Sequence, residues 1–248
     1  NTATMRPIDK KVAGETVTIA DAQGHKQQHT IQSAYNDYRD AKPPLVAHLG
    51  AYCSYCEEAL NERNLDVEHI EPKTLGRQYE TSWDNLLLSC KTCNGRDNKG
   101  THHVLPANMH LPHKDNTFMS FEYLPGGFVI VNRQLKGVER QRAETLYKLI
   151  GLDKHPQMGK DIAPCDKRWQ AREEAWHDIE LTLAEYQNGE ISDNALIRYA
   201  KRLGHWSMWF TQFAAYPTIR ARLIKEFSGT CAACFDANNG YSPICRQP

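Results

Sequence analysis

The sequence lacks what would place it in a membrane, on a polyanion by bulk charge, or among disordered chains. No apolar run approaches the ~18 uninterrupted residues that a membrane span requires, and the opening stretch NTATMRPIDKK has no apolar core of the kind a secretory signal uses. The expectation is a soluble, cytoplasmic protein, with Met5 a candidate for its natural start. An excess of one charge is also missing: 30 basic residues balance 30 acidic ones, and up to His110 the count is 12 against 14. Long-range attraction to phosphate is therefore weak, and a nucleic-acid ligand would need local contacts, metal ions or a partner subunit. Internal repeats and low-complexity linkers are absent too. With 40% hydrophobic residues over 248 positions, the chain can bury a sizeable core.

Cysteine, by contrast, is plentiful. Six of the eight cysteines fall in CxxC pairs, and without an export signal such pairs point to metal binding rather than to a disulfide framework. Cys53 and Cys56 in AYCSYCEE, with Cys90 and Cys93 in LSCKTCNG, supply four thiolates. At ~2.3 Å these close a tetrahedral shell with no open position, the pattern of a structural zinc. A thiol-disulfide role is the competing reading, but it needs only one CxxC at the start of a helix. Cys231, Cys234 and Cys245 in CAACFDANNGYSPIC look like part of a second site that Cys165 or His205 would complete, with buried or free thiols as the alternative.

Along the chain, TVTIA at 16–20 predicts a strand. IQSAYNDYRDA sets Ile31, Tyr35 and Tyr38 on one helical face and predicts a helix that Pro43 and Pro44 end. FMSFEYLPGGFVIVN, with two β-prone runs around Pro-Gly-Gly, predicts a hairpin beside the cysteine-rich unit. Beyond it, Trp169, Trp176, Ile179, Leu183 and Tyr186 recur at intervals of 7, 3, 4 and 3, one stripe of a long helix. Ser192 or Asp193 caps the next helix, and Gly204 stops it. Trp206, Trp209, Phe210 and Phe213 form a further aromatic turn before Pro217; tryptophans at helical spacing are read as core rather than as base-stacking platforms. The fold class is α+β, a mostly helical chain carrying a zinc-held finger and a β-hairpin. Its expected parts are an N-terminal strand and helix segment (1–50), the metal-held unit (51–115), and the hairpin with a helical remainder (116–248).

Between the two CxxC pairs stands LDVEHIEPKT, in which Leu65, Asp66 and Val67 lead into Glu68 and His69. Neighbours on a regular strand point to opposite faces, so the two groups can share a site only at the strand's end. Downstream, in SWDNLLLSCKTCNGRDNKG, Asn85 opens an apolar run and Asn94 follows Cys93 directly.

These features over residues 53–100 resemble the HNH endonuclease family, whose ββα-metal finger has an acid-histidine pair ending its first strand, then an asparagine, then a final histidine or asparagine on the helix. The resemblance implies metal-dependent hydrolysis of phosphodiester bonds. His69 would take the proton from water, Glu68 and Asn94 would hold a magnesium or manganese ion, and Asn85 would orient the imidazole through a carbonyl contact. Two positions depart from the commoner pattern: Glu68 stands where many members have aspartate, and Asn94 where many have histidine. Both keep an oxygen ligand suited to a hard cation. Asn98, in the loop GRDNKG, rivals Asn94. Lys99, Arg96 and the histidines 102, 103, 110 and 113 are candidate phosphate contacts or ordinary surface.

With a helical C-terminal part, the same motifs resemble the HNH component of Septu and retron-associated bacterial antiphage systems. That implies a PtuA-type ATPase partner of the ABC or SMC kind, and for retrons a reverse transcriptase with its multicopy single-stranded DNA (msDNA). The substrate expected is DNA. The rivals are RNA such as tRNA, or a non-catalytic zinc-held binding or adaptor module.

Overall fold

The computed structural model describes residues 5–21 and 23–246. Among the described residues, four separate antiparallel hairpins are set among eight α-helices, and one continuous hydrophobic core runs from Met5 to Phe235. Strands β1 (Thr16–Ala20) and β2 (Lys26–Thr30) form an outlying hairpin packed on α1 (Lys42–Leu49). The stretch from Ile31 is not the expected helix. It is irregular up to a 3-10 turn at Tyr38–Ala41, and α1 then starts where the prolines were expected to stop it. Pro43 and Pro44 occupy the first turn of α1, where a missing N–H costs nothing and φ is already helical. Ile31 and Tyr35 are nonetheless buried.

Strands β3 (Leu65–His69) and β4 (Leu86–Cys90) pair in a register that sets Glu68 opposite Leu87 and His69 opposite Leu86. Short helix α2 (Arg77–Thr81) lies in the connection, and α3 (Lys91–Asn94) follows β4 directly, completing a β-β-α order. Every residue of β4 is buried, which explains its unbroken apolar run LLL.

The expected hairpin is present as β5 (Phe121–Leu124) and β6 (Phe128–Val131) around Pro125, Gly126 and Gly127. Its turn lies against α5 (Arg168–Gln187), where Arg172 Nε donates to the Gly127 carbonyl at 3.1 Å. A Cβ at Gly127 would fall 2.4 Å from the Glu173 nitrogen, so only glycine permits that approach. Helix α4 (Gly137–Leu149) precedes α5, and α6 (Asp193–Leu203), α7 (Trp206–Gln212) and α8 (Pro217–Glu226) follow. Ser192 caps α6, its Oγ accepting from Ala195 N at 3.3 Å. Trp206, Trp209, Phe210 and Phe213 are all fully buried, as the core reading requires. A last small hairpin joins β7 (Phe235–Asp236) and β8 (Ser242–Pro243). Among the described residues no helix is long and apolar enough to cross a membrane.

The corner between α6 and α7 docks on the first CxxC loop. Gly204 has φ 76°, and a Cβ there would lie 2.6 Å from both Ala59 N and Glu57 O. Next to it, His205 N donates to Glu57 O at 2.9 Å. Buried Glu57 accepts from Ser207 N at 2.8 Å, from Ser207 Oγ at 2.6 Å, and from Arg6 N. One carboxylate thus ties the cysteine loop to α7 and to the N-terminal strap. The sequence shows only a glutamate after a cysteine there, with nothing to mark it.

Candidate metal centre and active site

Cys53, Cys56, Cys90 and Cys93 are all buried, and their sulfurs lie within 4.8 Å of one another. Cys56 and Cys90 Sγ are 3.8 Å apart, the spacing of two ligands at ~2.3 Å on one tetrahedral ion. Cys90 ends β4 and caps α3, accepting from Cys93 N at 3.3 Å, so strand end and helix start place the second pair. Arg168, from the start of α5, donates through Nη1 to Cys93 Sγ at 3.1 Å. Asp166 and the Ile150 and Gly151 carbonyls fix that guanidinium. A buried cation beside thiolates offsets their negative charge and tunes the group they hold. Arg168 lies 75 positions from Cys93, and no sequence signal pairs them.

Among the described residues these four cysteines are the one group of three or more His, Cys, Asp or Glu side chains close enough to share an ion. Cys231 and Cys234 are buried neighbours, whereas Cys165 and Cys245 are exposed and complete no cluster with them. His205 belongs to the first CxxC loop through Glu57, and burial pushes its pKa down to about 4.

Glu68, His69 and Asn94 line one cavity of about 650 Å³ between β3, α3 and the turn that carries Tyr38. His69 Nε2 donates to the Glu80 carbonyl at 3.0 Å, which fixes the tautomer and leaves Nδ1 as the ring's acceptor. The Tyr38 ring and the imidazole pack edge to face, 4.7 Å between centroids. Burial holds the His69 pKa below its ordinary value, so the ring is a neutral base near pH 7.

Asn85 makes no hydrogen bond to the His69 ring. Its Nδ2 donates to Glu71 O at 2.7 Å and Tyr79 O at 2.6 Å, and its Oδ1 accepts from Glu71 N at 2.8 Å. The orienting carbonyl is that of Glu80, next to the Tyr79 that Asn85 clamps. The expected direct contact is therefore replaced by an indirect one: Asn85 shapes the connection between β3 and β4, and the connection holds His69. Both Nδ2 hydrogens go to backbone carbonyls and Oδ1 takes a backbone N–H, so the amide is aimed at the connection rather than at the imidazole.

Glu68 is fully buried. Lys99 Nζ lies 2.8 Å from its Oε1 and also donates to the His69 carbonyl at 2.5 Å; Tyr55 OH donates to the same Oε1 at 3.3 Å. Burial pushes the carboxyl pKa up to about 7 against the pull of Lys99. The second oxygen, Oε2, is buried with no partner, which is the atom a cation would need. An orphaned carboxylate oxygen in a cavity that Asn94 also lines fits a hard oxygen-seeking ion. Lys99 is only 2% exposed, so it is not the phosphate contact its position in the loop suggested.

Asn98 is buried away from this cavity. Its Nδ2 donates to Thr92 O at 2.8 Å, and its Oδ1 abuts Gly151, where an added Cβ would fall 1.9 Å away. Among the loop's polar groups, Asn94 and Arg96 reach the cavity wall. None of the four downstream histidines does: His103 meets Glu71 at 3.3 Å, and His110 sits between Ser120 Oγ and Glu139.

Comparison with known proteins agrees with this layout. Residues 53–100 match the family model described as HNH endonuclease, and they form an HNH domain. The chain is also similar to Septu protein PtuB of Bacillus thuringiensis, with 29% identity over 194 residues. That alignment takes in 76% of this chain and 65% of the relative, so the chain spans about two thirds of the protein it matches.

Proposed function

We propose that this chain, with its HNH endonuclease domain at residues 53–100, is a metal-dependent nuclease of a Septu-type antiphage defence system. The observation that carries the reading is one cavity holding a histidine with a fixed tautomer and a buried carboxylate with a free oxygen. Glu68 Oε2 and the Asn94 side chain would hold a magnesium or manganese ion, which supplies charge neutralisation at the phosphate and at the departing oxygen. His69 takes a proton from water at Nδ1 while the Glu80 carbonyl keeps the Nε2–H in place. Lys99 and Tyr55 hold Glu68 Oε1, so the carboxylate presents its other oxygen in one orientation. The four cysteines hold a structural zinc, with Arg168 balancing its thiolates.

DNA is the proposed substrate. A PtuA-type ATPase of the ABC or SMC kind is the proposed partner, joined in retron arrangements by a reverse transcriptase and its msDNA. The even overall charge supports such a partner, because the chain has no bulk field of its own to gather a polyanion.

The direct test incubates the zinc-loaded chain and its His69→Ala variant with plasmid DNA and with tRNA, with and without manganese. Manganese-dependent cutting that His69→Ala abolishes, while zinc content and melting temperature hold, supports the proposal. Equal cutting by both proteins removes His69 from the reaction.

A further inference from the structure

The cavity wall beyond Glu68, His69 and Asn94 is rich in cations. Arg39, Lys42, Lys73 and Arg96 all line it, in a chain whose total charge is zero. They are not equally available. Arg39 is committed to Asp37, with Nε at 3.0 and 2.9 Å and Nη2 at 2.6 Å from the carboxylate oxygens. The side chains of Lys42 and Arg96 have no hydrogen bond or ion pair among the described residues. Lys73 has no carboxylate; its ammonium stands over the Tyr38 ring at 4.6 Å and 3.5 Å from the Tyr38 hydroxyl. Of the two acids on the same wall, Glu68 is neutralised by Lys99, which leaves Asp66 as the opposing charge.

Three cations without a carboxylate partner therefore line one cavity from three separate elements. Lys42 opens α1, Lys73 lies in the 3-10 turn after β3, and Arg96 lies in the loop after α3. Lys42 and Tyr38 fall outside residues 53–100, so the preceding segment helps to build this wall.

We propose that Lys42, Lys73 and Arg96 form a phosphate-binding track at the mouth of the His69 cavity, gripping backbone phosphates on either side of the one to be cut. The proposal rests on the nuclease reading for what lies between them. Ammonium and guanidinium groups that contact backbone phosphate read no base edges, so the track adds affinity and register but no sequence preference. Tyr38 links it to the chemistry: one ring orients Lys73 by a cation-π contact and packs in a T-shaped pair with His69.

Each phosphate contact contributes a slope of about 0.9 to the fall of log affinity with log salt on duplex DNA. The test uses the full chain with His69→Ala, which allows metal without cutting, and a fluorescein-labelled 20-base-pair duplex read by anisotropy across a salt series. Adding Lys42→Gln, Lys73→Gln and Arg96→Gln together is expected to lower the slope by about 2 to 3, with melting temperature and zinc content unchanged. A control triplet of exposed lysines elsewhere, Lys136→Gln, Lys148→Gln and Lys225→Gln, is expected to leave it as it was. An unchanged slope in the first triplet, an equal fall in the control, or no binding before the substitutions would each overturn the track. Cutting by the wild-type histidine form is scored separately. Cutting with an unchanged slope removes the track alone, and a lowered slope without cutting removes the nuclease reading alone.

Discussion

At the scale of single residues, Glu68 and Lys99 form the most consequential pair. Both are buried, and Lys99 Nζ meets Oε1 at 2.8 Å. Removing one partner strands the other charge, which typically costs 3–5 kcal/mol, whereas removing both together can be nearly neutral. Lys99→Met is expected to destabilise the chain by about that amount in urea unfolding, and Lys99→Met with Glu68→Leu to recover most of the loss. Additive losses in the double variant would show that the two groups are not coupled. The sequence disclosed Glu68 and His69 because an acid-histidine pair at the end of a strand is a local pattern. It did not disclose Lys99, which reads as a surface lysine in a polar loop until the fold folds that loop back under β3. Asn85 was visible for the same local reason, but its partners come from the connection it shapes, and no spacing rule encodes them.

At the scale of elements, the two CxxC turns and the α6–α7 corner hold the site together. Cys90 serves as strand end, helix cap and proposed metal ligand at once. Cys90→Ser is therefore expected to lose the bound zinc and to lower the melting temperature; metal analysis showing full zinc occupancy would contradict the structural assignment. Gly204 joins the helices to the first turn with a positive φ and no room for a side chain. Gly204→Ala is expected to cost more than about 1 kcal/mol, read as a lowered urea midpoint, because both the backbone and the approach to Glu57 are strained. An unchanged midpoint would mean that the corner shifts freely. Helix stripes, strand β1 and the Pro-Gly-Gly hairpin were legible from local period and turn chemistry. The helix drawn over Ile31, Tyr35 and Tyr38 was not: Ile31 and Tyr35 are buried by tertiary packing while Tyr38 stays partly exposed on the cavity wall, and a 3.6 period cannot tell that from a helix.

At the scale of the whole molecule, one core spans the N-terminal strap, the HNH unit and the C-terminal helices, so the chain should respond to acid as a unit. Both His113 ring nitrogens are closed off without partners, among Lys10, Lys114 and Arg246. Burial pushes its pKa down to about 3 from an ordinary 6.5. Between those values the unfolded chain binds a proton that the folded chain refuses, so stability rises with pH in that window. It is intact above about 6.5 and lost as the pH falls toward 3. From pH 7.5 to 4.5, wild type is expected to lose about 2–3 kcal/mol more than His113→Leu in urea unfolding, the two units below 6.5 each counting 1.36 kcal/mol. Equal losses would place the acid sensitivity elsewhere.

The central claim is that the cavity around His69 cuts nucleic acid inside the assembled defence system. The most direct measurement expresses wild type and His69→Ala with their operon neighbours, triggers the system with phage, and maps new ends in total cellular DNA and RNA. New DNA ends that appear only with His69 are the predicted result. Identical end maps from the two strains would contradict the claim and leave a zinc-held binding module in place of a nuclease.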